Sequence, residues 1–467
     1  MSTSIWWIRR DLRLHDNRAL ARAARSADRV AAVYILDPVF SRSGRVGAKR
    51  ESFLLDGLKT LDEALRSHGG RLIIRQGEPL KALQQLVIET GANHIYAEAD
   101  YTNYALQRDQ RVQQHLPVEY VSGLTVMPPG SVLKSDGQPY VVFSPFARRW
   151  KQQAEGSIGP EQPMPAAIRF AADLETVALT PGGKVDPRFP PGEASAQQRL
   201  TAFLDGGRVF DYQRGRDRLD VQGTSLLSPY LRFGMLSARQ AVLAAQEAIA
   251  SARGKSNLAG ATQWLDELIW REFYHHILFH FPQVQTESFR PAYRDFSWSE
   301  DEAALAAWKE GQTGYPVIDA AMRQLKTEGW MPNRARMLVA SFLTKHLLVD
   351  WRWGERWFMR HLIDGDVAAN NGGWQWAAGT GTDAAPYFRI FNPTTQAKKH
   401  DPQGNYIRRW VPELSGLSAE DIHEPWQLSA SQRQALGAVD YPAPIVDHAW
   451  ARQRALDQLS PKKSKSS

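Results

Sequence analysis

Residues 4–36, SIWWIRRDLRLHDNRALARAARSADRVAAVYIL, place two short apolar runs on either side of a helical pattern. The rhythm continues, and we predict strands at residues 5–8, 30–36, 71–75, 94–97 and 118–121. Helices are predicted between them at residues 17–26, 50–68, 79–89 and 104–115. Five strands with four helical crossovers predict a doubly wound α/β domain, with a Rossmann-like parallel sheet whose ligand sites lie at the carboxyl ends of the strands.

The rest of the chain is organised differently. Pro and Gly become frequent after residue 126, and segment 144–150, SPFARRW, predicts one ordered helix within a long connection. Helical patterns rich in aromatic residues then continue to about residue 450. We therefore predict an α/β domain at 1–128, an interdomain linker at 129–197, a larger all-α domain at 198–452 and a basic tail at 453–467.

The composition narrows the class of protein. With 467 residues, 43% hydrophobic and 23% charged, the chain is too long for one typical domain and is neither disordered nor collagen-like. It has no cysteine, which excludes disulfides and thiolate chemistry. Its 57 Lys and Arg against 50 Asp and Glu give a net charge of +7, which suits a polyanionic partner. No membrane-length apolar run and no leader pattern is evident, so we expect a cytoplasmic protein.

The densest group of polar residues lies between residues 364 and 383. Asp364, Gly365 and Asp366 precede the segment NNGGWQW at residues 370–376. Carboxylates, amides and backbone donors exposed by glycine can hold a polar heterocycle. The alternative is a tight turn in which the Asp and Asn side chains act as caps.

A second candidate site lies on a predicted helix around Glu267. At helical spacing Glu267 neighbours Trp270 and Arg271, so that a carboxylate, an indole and a guanidinium share one surface. Such a surface can stack on a base and hydrogen-bond its edge. The alternative is a solvated Glu–Arg pair with Trp270 in the core.

Three further features carry weaker signals. The hydroxyl-rich turn TSLLS at residues 224–228 indicates either an anion site or a plain helix cap. His275, His276 and His280 lack the acidic residue of a zinc motif, so we predict no metal site. Most of the 16 tryptophans should pack in the core, although several in a row can pass electrons between a buried cofactor and the surface.

Several longer motifs give the chain a resemblance to a known family. Segment RRDLRLHDN at residues 9–17 and the stretch from GQTGYPVIDAAMR at 311–323 to FRIFNP at 388–393 are the most specific. Over roughly residues 4–445 the sequence resembles the DNA photolyase and cryptochrome family, and most closely its class I cyclobutane pyrimidine dimer photolyases.

The resemblance implies FAD held in the helical domain. Asn370 matches the residue that faces flavin N5, where a neutral amide suits an anionic reduced flavin. The positions that match the family's flavin pocket are Tyr212, Thr224, Ser225, Leu226, Leu227, Ser228, Trp264, Glu267, Arg271, Trp330, Arg336, Asp364, Gly365, Asp366 and Asn370.

The implied partner is DNA that contains cyclobutane pyrimidine dimers. Glu267 matches the carboxyl group that hydrogen-bonds the dimer, and with Asn370 it forms the expected catalytic pair. Residues that match the lesion pocket are Trp270, Asn333, Met337 and Trp376, and those that match DNA-backbone contacts are Arg216, Arg334 and Arg389.

The implied reaction is light-dependent DNA repair. Blue light excites FADH⁻, an electron passes to the dimer, the two bonds between the bases split, and the electron returns. Trp374, Trp351 and Trp298 match the three-member chain that reduces the flavin in light.

Three points stay open within the family. Six-four photolyases carry histidines where this chain has Asn333 and Met337, which favours the cyclobutane dimer as substrate. A cryptochrome receptor without repair activity is the other alternative, and the complete set of lesion residues favours repair. The antenna is methenyltetrahydrofolate, a deazaflavin or absent, since residues 104–109, YALQRD, lack the Asn-Glu pair of folate-binding relatives. We expect a monomer.

Overall fold

A computed structural model describes residues 1–42, 44, 46–166, 168–180, 182–183 and 186–460. The contacts within it divide the chain into two compact units. Unit 1 comprises Met1–Asp211, Ser225–Pro282 and Ile363–Ala368, and unit 2 comprises Tyr212–Thr224, Gln283–Leu362 and Ala369–Ser467. Within the described ranges, no helix combines the length and the apolar character that crossing a membrane requires.

Unit 1 contains the predicted parallel sheet. Its strands are β1 (Thr3–Ile8), β2 (Arg29–Leu36), β3 (Leu72–Gln76), β4 (His94–Glu98) and β5 (Val118–Val121). They lie in the order β3-β2-β1-β4-β5, with Ile5 of β1 opposite Ala31 and Ile95. Every residue of β1 is buried, as expected of a central strand covered on both faces. All five predicted strands are confirmed, with ends within two residues of those predicted.

The four predicted crossover helices are also confirmed. The helices around the sheet are α1 (Arg18–Ser26), α2 (Pro38–Arg42), α3 (Ala48–Ser67), α4 (Pro79–Thr90) and α5 (Asn103–Gln113). Asn17 caps α1 by accepting a hydrogen bond from Leu20 N at 2.9 Å, which makes it the residue before the helix rather than the first one in it. The sequence did not predict α2, because five residues are too few for a periodic pattern.

The connection after the sheet carries the helix predicted from SPFARRW. This helix is α6 (Phe143–Ala154), and α7 (Glu193–Asp205) begins after Gly192, inside the predicted linker. Helix α8 (Tyr212–Gly215) belongs to unit 2. Unit 1 continues with α9 (Ser228–Phe233), α10 (Ala238–Ser251) and the long helix α11 (Gly254–His280).

Unit 2 is helical. Its further helices are α12 (Glu302–Glu310), α13 (Pro316–Glu328), α14 (Asn333–Ser341), the π-helical turn Phe342–His346, α15 (Trp351–His361), α16 (Val367–Ala378), whose first two residues belong to unit 1, α17 (Pro393–His400), α18 (Asn405–Trp410), α19 (Ala430–Ala435) and α20 (His448–Leu459). Single 3-10 turns lie at Pro282–Gln285, Pro291–Tyr293, Pro412–Leu414, Asp421–His423 and Pro425–Gln427.

The end of the chain differs from the prediction of a basic tail at 453–467. Residues 453–459 belong to α20, which buries Ala451, Ala455 and Leu459. These apolar residues at helical spacing form a packing face. The prediction missed this face because most other residues of the segment are charged or polar. The remaining predicted tail, 461–467, lies outside the described residues.

Candidate functional site

The loop that leads into α9 has a strained backbone. Leu226 adopts φ 55°, a left-handed conformation that costs a non-glycine residue roughly 1–3 kcal/mol. Two residues later, Ser228 Oγ donates a hydrogen bond to Asp364 Oδ2 at 2.6 Å. The structure thus joins the hydroxyl-rich turn to the carboxylate segment, which the sequence presented as separate candidates.

Asp366 is the centre of a buried cluster of charges in unit 1. Arg10 forms an ion pair with Asp366 Oδ2, and its Nη1 lies 3.4 Å from Asp100 Oδ1. His275 Nε2 lies 3.8 Å from Asp366 Oδ1. Burial alone would raise the pKa of Asp366, but Arg10 and the other nearby cations hold it well below its usual range. Asp366 is therefore an anion at neutral pH.

The same cluster has an excess of positive charge. Arg232 Nε donates to Gly365 O at 2.8 Å, and Arg50 Nη1 donates to the same carbonyl at 3.4 Å. Burial, together with the charges of Arg10 and Arg50, lowers the pKa of Arg232 to about 9. Because these guanidinium groups repel each other, a further anion would be stabilised beside them. This donor set fits the diphosphate of FAD.

Helix α11 presents a carboxylate and an indole. Gln263 Nε2 donates to Glu267 Oε1 at 3.0 Å from one turn earlier, which orients the carboxylate. Glu267 and Trp270 are both partly exposed, so each keeps surface for a ligand. Trp264 is buried and packs edge-on against Phe203, with ring centroids 5.0 Å apart. Trp264 therefore anchors the helix that carries the two candidate ligand-binding side chains.

Arg271 does not lie on a solvated surface, the alternative considered from its sequence. Only 16% of its side chain is exposed, and its Nη1 donates to Leu124 O at 2.8 Å. Burial lowers the pKa of Arg271, although Asp366 and Glu272 oppose this effect. A buried guanidinium with a lowered pKa suits an anionic ligand.

Two predicted DNA-backbone residues of unit 2 meet at one carboxylate. Arg334 Nε and Nη2 lie 3.2 and 2.6 Å from the two oxygens of Asp217, and Arg216 Nε lies 4.0 Å from Asp217 Oδ1. The Arg216 guanidinium also lies 5.9 Å from the ring centroid of Tyr212, which is buried. Asp217 was not predicted from the sequence, because its partner Arg334 is 117 residues away.

The predicted lesion residues Asn333 and Met337 lie one turn apart on α14. Asn333 Nδ2 is 3.5 Å from Met337 Sδ, so the two side chains form one surface. The side chain of Arg336 contacts the segment before α14, where its Nε donates to Met331 O at 2.9 Å. Trp330, just before the helix, is 8% exposed.

Helix α16 and the loop after it carry Asn370, Trp376 and Arg389. Asn370 Nδ2 donates to Glu355 O at 3.1 Å, which uses one of its two amide hydrogens. Trp376 is partly exposed. Arg389 is exposed in a turn where its own backbone N donates to Pro386 O at 2.8 Å.

The three tryptophans predicted to carry electrons share one hydrophobic cluster of unit 2. Trp374 and Trp351 are 2% and 1% exposed, and Trp298 packs against the cluster while partly exposed. Trp351 Nε1 lies 3.4 Å from Ser288 Oγ, and the ring of Trp298 lies 4.6 Å from that of Phe296. Two of the three predicted electron carriers are therefore buried, and the third is reached by solvent.

His275 and His276 of α11 are buried. Within the part of the chain that the structure describes, there is no group of three or more potential metal-ligating side chains. Burial lowers the pKa of His275 to about 3 and that of His276 to about 4, so both are neutral near pH 7. His276 Nε2 lies 3.2 Å from Tyr140 O, within the packed interior.

A cavity of about 320 Å³ lies at the carboxyl edge of the sheet in unit 1. The hydroxyl of Tyr104 donates to the Asp37 carboxylate, and the Arg108 guanidinium lies 5.0 Å from the ring centroid of Trp7. Aromatic and charged groups together suit a planar polar ligand. Its lining residues are Asp37, Pro38, Val39, Glu78, Tyr104, Gln107, Arg108 and Arg111.

Two family profiles match the chain. The profile described as DNA photolyase matches residues 4–167, and the one described as FAD binding domain of DNA photolyase matches residues 264–461. The deoxyribodipyrimidine photo-lyase of Escherichia coli K12 is 42% identical over 98% of each chain. That of Streptomyces griseus is 41% identical over 97% of this chain and 98% of its own.

Solved structures are similar over nearly the whole chain. A class III photolyase from Agrobacterium tumefaciens has a TM-score of 0.89 and 37% identity, covering 98% of this chain and 97% of its own. A cryptochrome from Synechocystis has a TM-score of 0.90 and 32% identity, covering 98% and 99%. The chain therefore belongs to the DNA photolyase family and carries that family's FAD-binding domain.

Proposed function

We propose that this chain is a deoxyribodipyrimidine photo-lyase, a carbon–carbon lyase that uses blue light to split cyclobutane pyrimidine dimers in DNA. The observation that carries the proposal is the placement of Glu267 and Trp270 side by side on α11, in a chain whose full-length relatives bear that name. When bound, reduced FAD supplies the electron that opens the dimer and takes it back afterwards. The residues of the chain bind and orient the reacting groups.

The proposed FAD contacts follow from the chemistry of the donor sets. The positive excess around Arg232 supports a diphosphate contact, and the ionised Asp366 keeps that cluster in place. In unit 1 the proposed contacts are Ser225, Leu226, Leu227, Ser228, Trp264, Glu267, Arg271, Asp364, Gly365 and Asp366. In unit 2 they are Tyr212, Thr224, Trp330, Arg336 and Asn370.

The lesion is held by stacking and by one charged hydrogen bond. Trp270 stacks on the extruded dimer, and Glu267, oriented by Gln263, accepts a hydrogen bond from the edge of a base. Trp376, Asn333 and Met337 complete the proposed lesion contacts. Arg216, Arg334 and Arg389 bind the DNA phosphates, which explains why a chain with a net charge of +7 suits this substrate.

Asn333 and Met337 support the cyclobutane dimer rather than the six-four product as substrate. Both side chains are neutral and lie together on α14, where they present an amide and a thioether to a ligand. Neither group is an acid or a base, so neither protonates its substrate. The two therefore suit a reaction that requires only electron transfer and bond splitting.

The cavity at the sheet edge is our candidate for an antenna chromophore. Tyr104 and Arg108 offer stacking surfaces, and Asp37 and Glu78 offer hydrogen-bond acceptors, which suit a flat deazaflavin. The alternatives are methenyltetrahydrofolate and no antenna chromophore. The absorption spectrum of the purified protein distinguishes the two chromophores. We further propose that the protein is a cytoplasmic monomer. Sedimentation of the purified chain tests the oligomeric state, and cell fractionation tests the location.

The test of the proposed activity uses the chain loaded with FAD, reduced, and illuminated with an oligonucleotide that contains one thymine dimer. We expect the dimer to disappear in light and to persist in the dark. Glu267→Gln, which keeps the shape but removes the charge, should slow repair by about 10–100-fold. A protein that binds FAD but leaves the dimer intact in light would support the cryptochrome alternative.

A further inference from the structure

We infer that Phe143, the first residue of α6, positions Trp270 for stacking on the extruded lesion, an inference that rests on the lesion role proposed for Trp270. Both residues belong to unit 1, and α6 lies in the segment predicted from its composition to be a linker. The ring of Phe143 lies flat on the indole of Trp270, with centroids 3.7 Å apart and planes inclined by 5°. The indole therefore has one face covered by protein.

The face-to-face arrangement is imposed by the neighbouring side chains. Aromatic pairs prefer offset or edge-on contacts, because facing ring quadrupoles repel each other. Phe273 meets Phe143 and Trp270 edge-on, at 80° and 84°, with centroids 6.0 and 5.6 Å away. Tyr274 contacts the same indole at 5.5 Å. Phe143, Phe273 and Tyr274 together hold the plane of Trp270, and Phe143 is the ring that lies flat against a face of the indole.

Helix α6 is anchored to α11 independently of the indole. Trp150 Nε1 donates to Glu272 Oε2 at 3.3 Å, within a buried part of the interface. Nearly two turns earlier on α11, Asp266 Oδ1 forms an ion pair with Lys151 Nζ of α6 at 2.5 Å. Because these anchors hold the helix, Phe143 is a fixed support behind the indole.

A fixed indole plane strengthens binding of the extruded dimer more than binding of undamaged DNA. Trp270 remains partly exposed, so a base stacks on the face opposite Phe143 and in one orientation. Without Phe143 the indole gains rotational freedom, which stacking of the dimer must then remove. Phosphate contacts do not depend on this ring. Phe143 is therefore expected to increase selectivity for extruded dimers, as a positioning residue that acts through Trp270.

The test compares Phe143→Leu with Phe146→Leu, each of which removes one ring from α6. Phe146 packs on Phe273 at 5.2 Å and on His276 at 5.0 Å, and it serves as the matched structural control. The probes are a single-stranded oligonucleotide with one thymine dimer and the undamaged oligonucleotide of the same sequence, with binding measured by fluorescence anisotropy in the dark. We expect F143L to lower the ratio of the two affinities about tenfold. F146L should lower thermal stability and keep the ratio.

Two further variants make the result independent of folding. Phe143→Tyr keeps the ring and is expected to retain the wild-type ratio, whereas Phe143→Met fills similar volume without a ring and is expected to lose it. In steady-state repair, the loss for F143L should lie mainly in KM. A wild-type ratio in F143L or F143M, or an equal loss in F146L or F143Y, would overturn the inference. Failure of the proposed function is distinguishable, because the wild-type chain would then bind both oligonucleotides equally.

Discussion

Asp217 holds Arg334 by a two-point ion pair, with nitrogen–oxygen distances of 3.2 and 2.6 Å. Burial alone would raise the pKa of Asp217, but the hydrogen bond and charge of Arg334 lower it. The carboxylate side chain is nevertheless 35% exposed, so solvent screens the pair. The pair therefore matters less for stability than for what Arg334 can bind, because a DNA phosphate must compete with Asp217 for the same guanidinium.

Removing the Asp217 charge should strengthen non-specific DNA binding. We expect Asp217→Asn to bind undamaged DNA about 3–10-fold more tightly at low salt. A plot of the logarithm of affinity against the logarithm of salt concentration should also become steeper by about one unit. The measurement is fluorescence anisotropy as a function of salt concentration.

Asp220→Asn is the matched control for this prediction. Asp220 pairs with Arg218 at 2.7 Å in the same segment, and Arg218 is not a proposed DNA contact. An equal gain in affinity for D217N and D220N would show that only net charge had changed, and would contradict a specific release of Arg334.

Substitution in the tryptophan chain should separate photoreduction from repair. Trp351→Phe keeps an aromatic ring in a site that is 1% exposed but removes the easily oxidised indole. We expect this variant to lose light-driven flavin reduction, followed by absorption, while the chemically reduced protein still repairs dimers. Trp353→Phe, on the same helix but 49% exposed, should behave as the wild type. Equal loss of photoreduction and repair in W351F would refute the assignment.

Alanine substitutions at two glycines near Trp374 should have opposite effects on stability. A Cβ at Gly354 would lie 2.1 Å from the ring of Trp374, whereas one at Gly373 meets nothing within 4 Å. Gly354→Ala should therefore displace the indole, cost roughly 1–3 kcal/mol of unfolding free energy and slow photoreduction. Gly373→Ala should stabilise α16 by roughly 0.5–1 kcal/mol and leave photoreduction intact. Denaturant titration measures the change in unfolding free energy of each variant. A G354A variant with wild-type stability and photoreduction would contradict the predicted clash with Trp374.

A buried lysine should make stability depend on pH. Lys345 is fully buried, donates to Ala378 O at 2.8 Å at the end of α16, and faces Arg290. Burial and the Arg290 charge lower the pKa of Lys345 from 10.5 to about 7. Between these values the unfolded chain binds more protons than the folded one, so the stability contributed by Lys345 rises with pH.

We expect the wild type to gain about 2 kcal/mol relative to Lys345→Met between pH 7 and pH 9. Urea unfolding at several pH values measures this difference. Lys399→Met, which changes an exposed lysine, should show no such trend. A constant difference between K345M and the wild type across this range would mean that Lys345 titrates alike in the folded and unfolded chain.

The α/β part was predictable because its signals are local. Buried parallel strands such as β1 are continuous apolar runs, and the crossover helices between them carry a helical period, although the role of Asn17 as the cap of α1 was not predicted. The site was predictable only as separate segments. The contact of Ser228 with Asp364 joins residues 136 apart, and no sequence pattern records such a pairing.

The partners of the charged residues were the least predictable part. Asp217 has no motif of its own, and it matters only because the fold brings Arg334 to it. The same holds for Phe143, whose role depends on a contact with Trp270 across two helices. Spacing within one element predicts neighbours on its surface, whereas contacts between elements depend on packing.

The ion pair between Arg10 and Asp366 joins residues 356 apart, so unit 1 cannot complete this contact until most of the chain has been synthesised. Unit 1 receives Ile363–Ala368 only after all of Gln283–Leu362 has been made. At about 5–20 residues per second, synthesis of Gln283–Leu362 alone takes several seconds, and during that time Arg10 lacks Asp366. A nascent chain that ends at Pro282 therefore carries cations that it cannot bury without cost, and the first-made unit is completed by one of the later parts of the polypeptide.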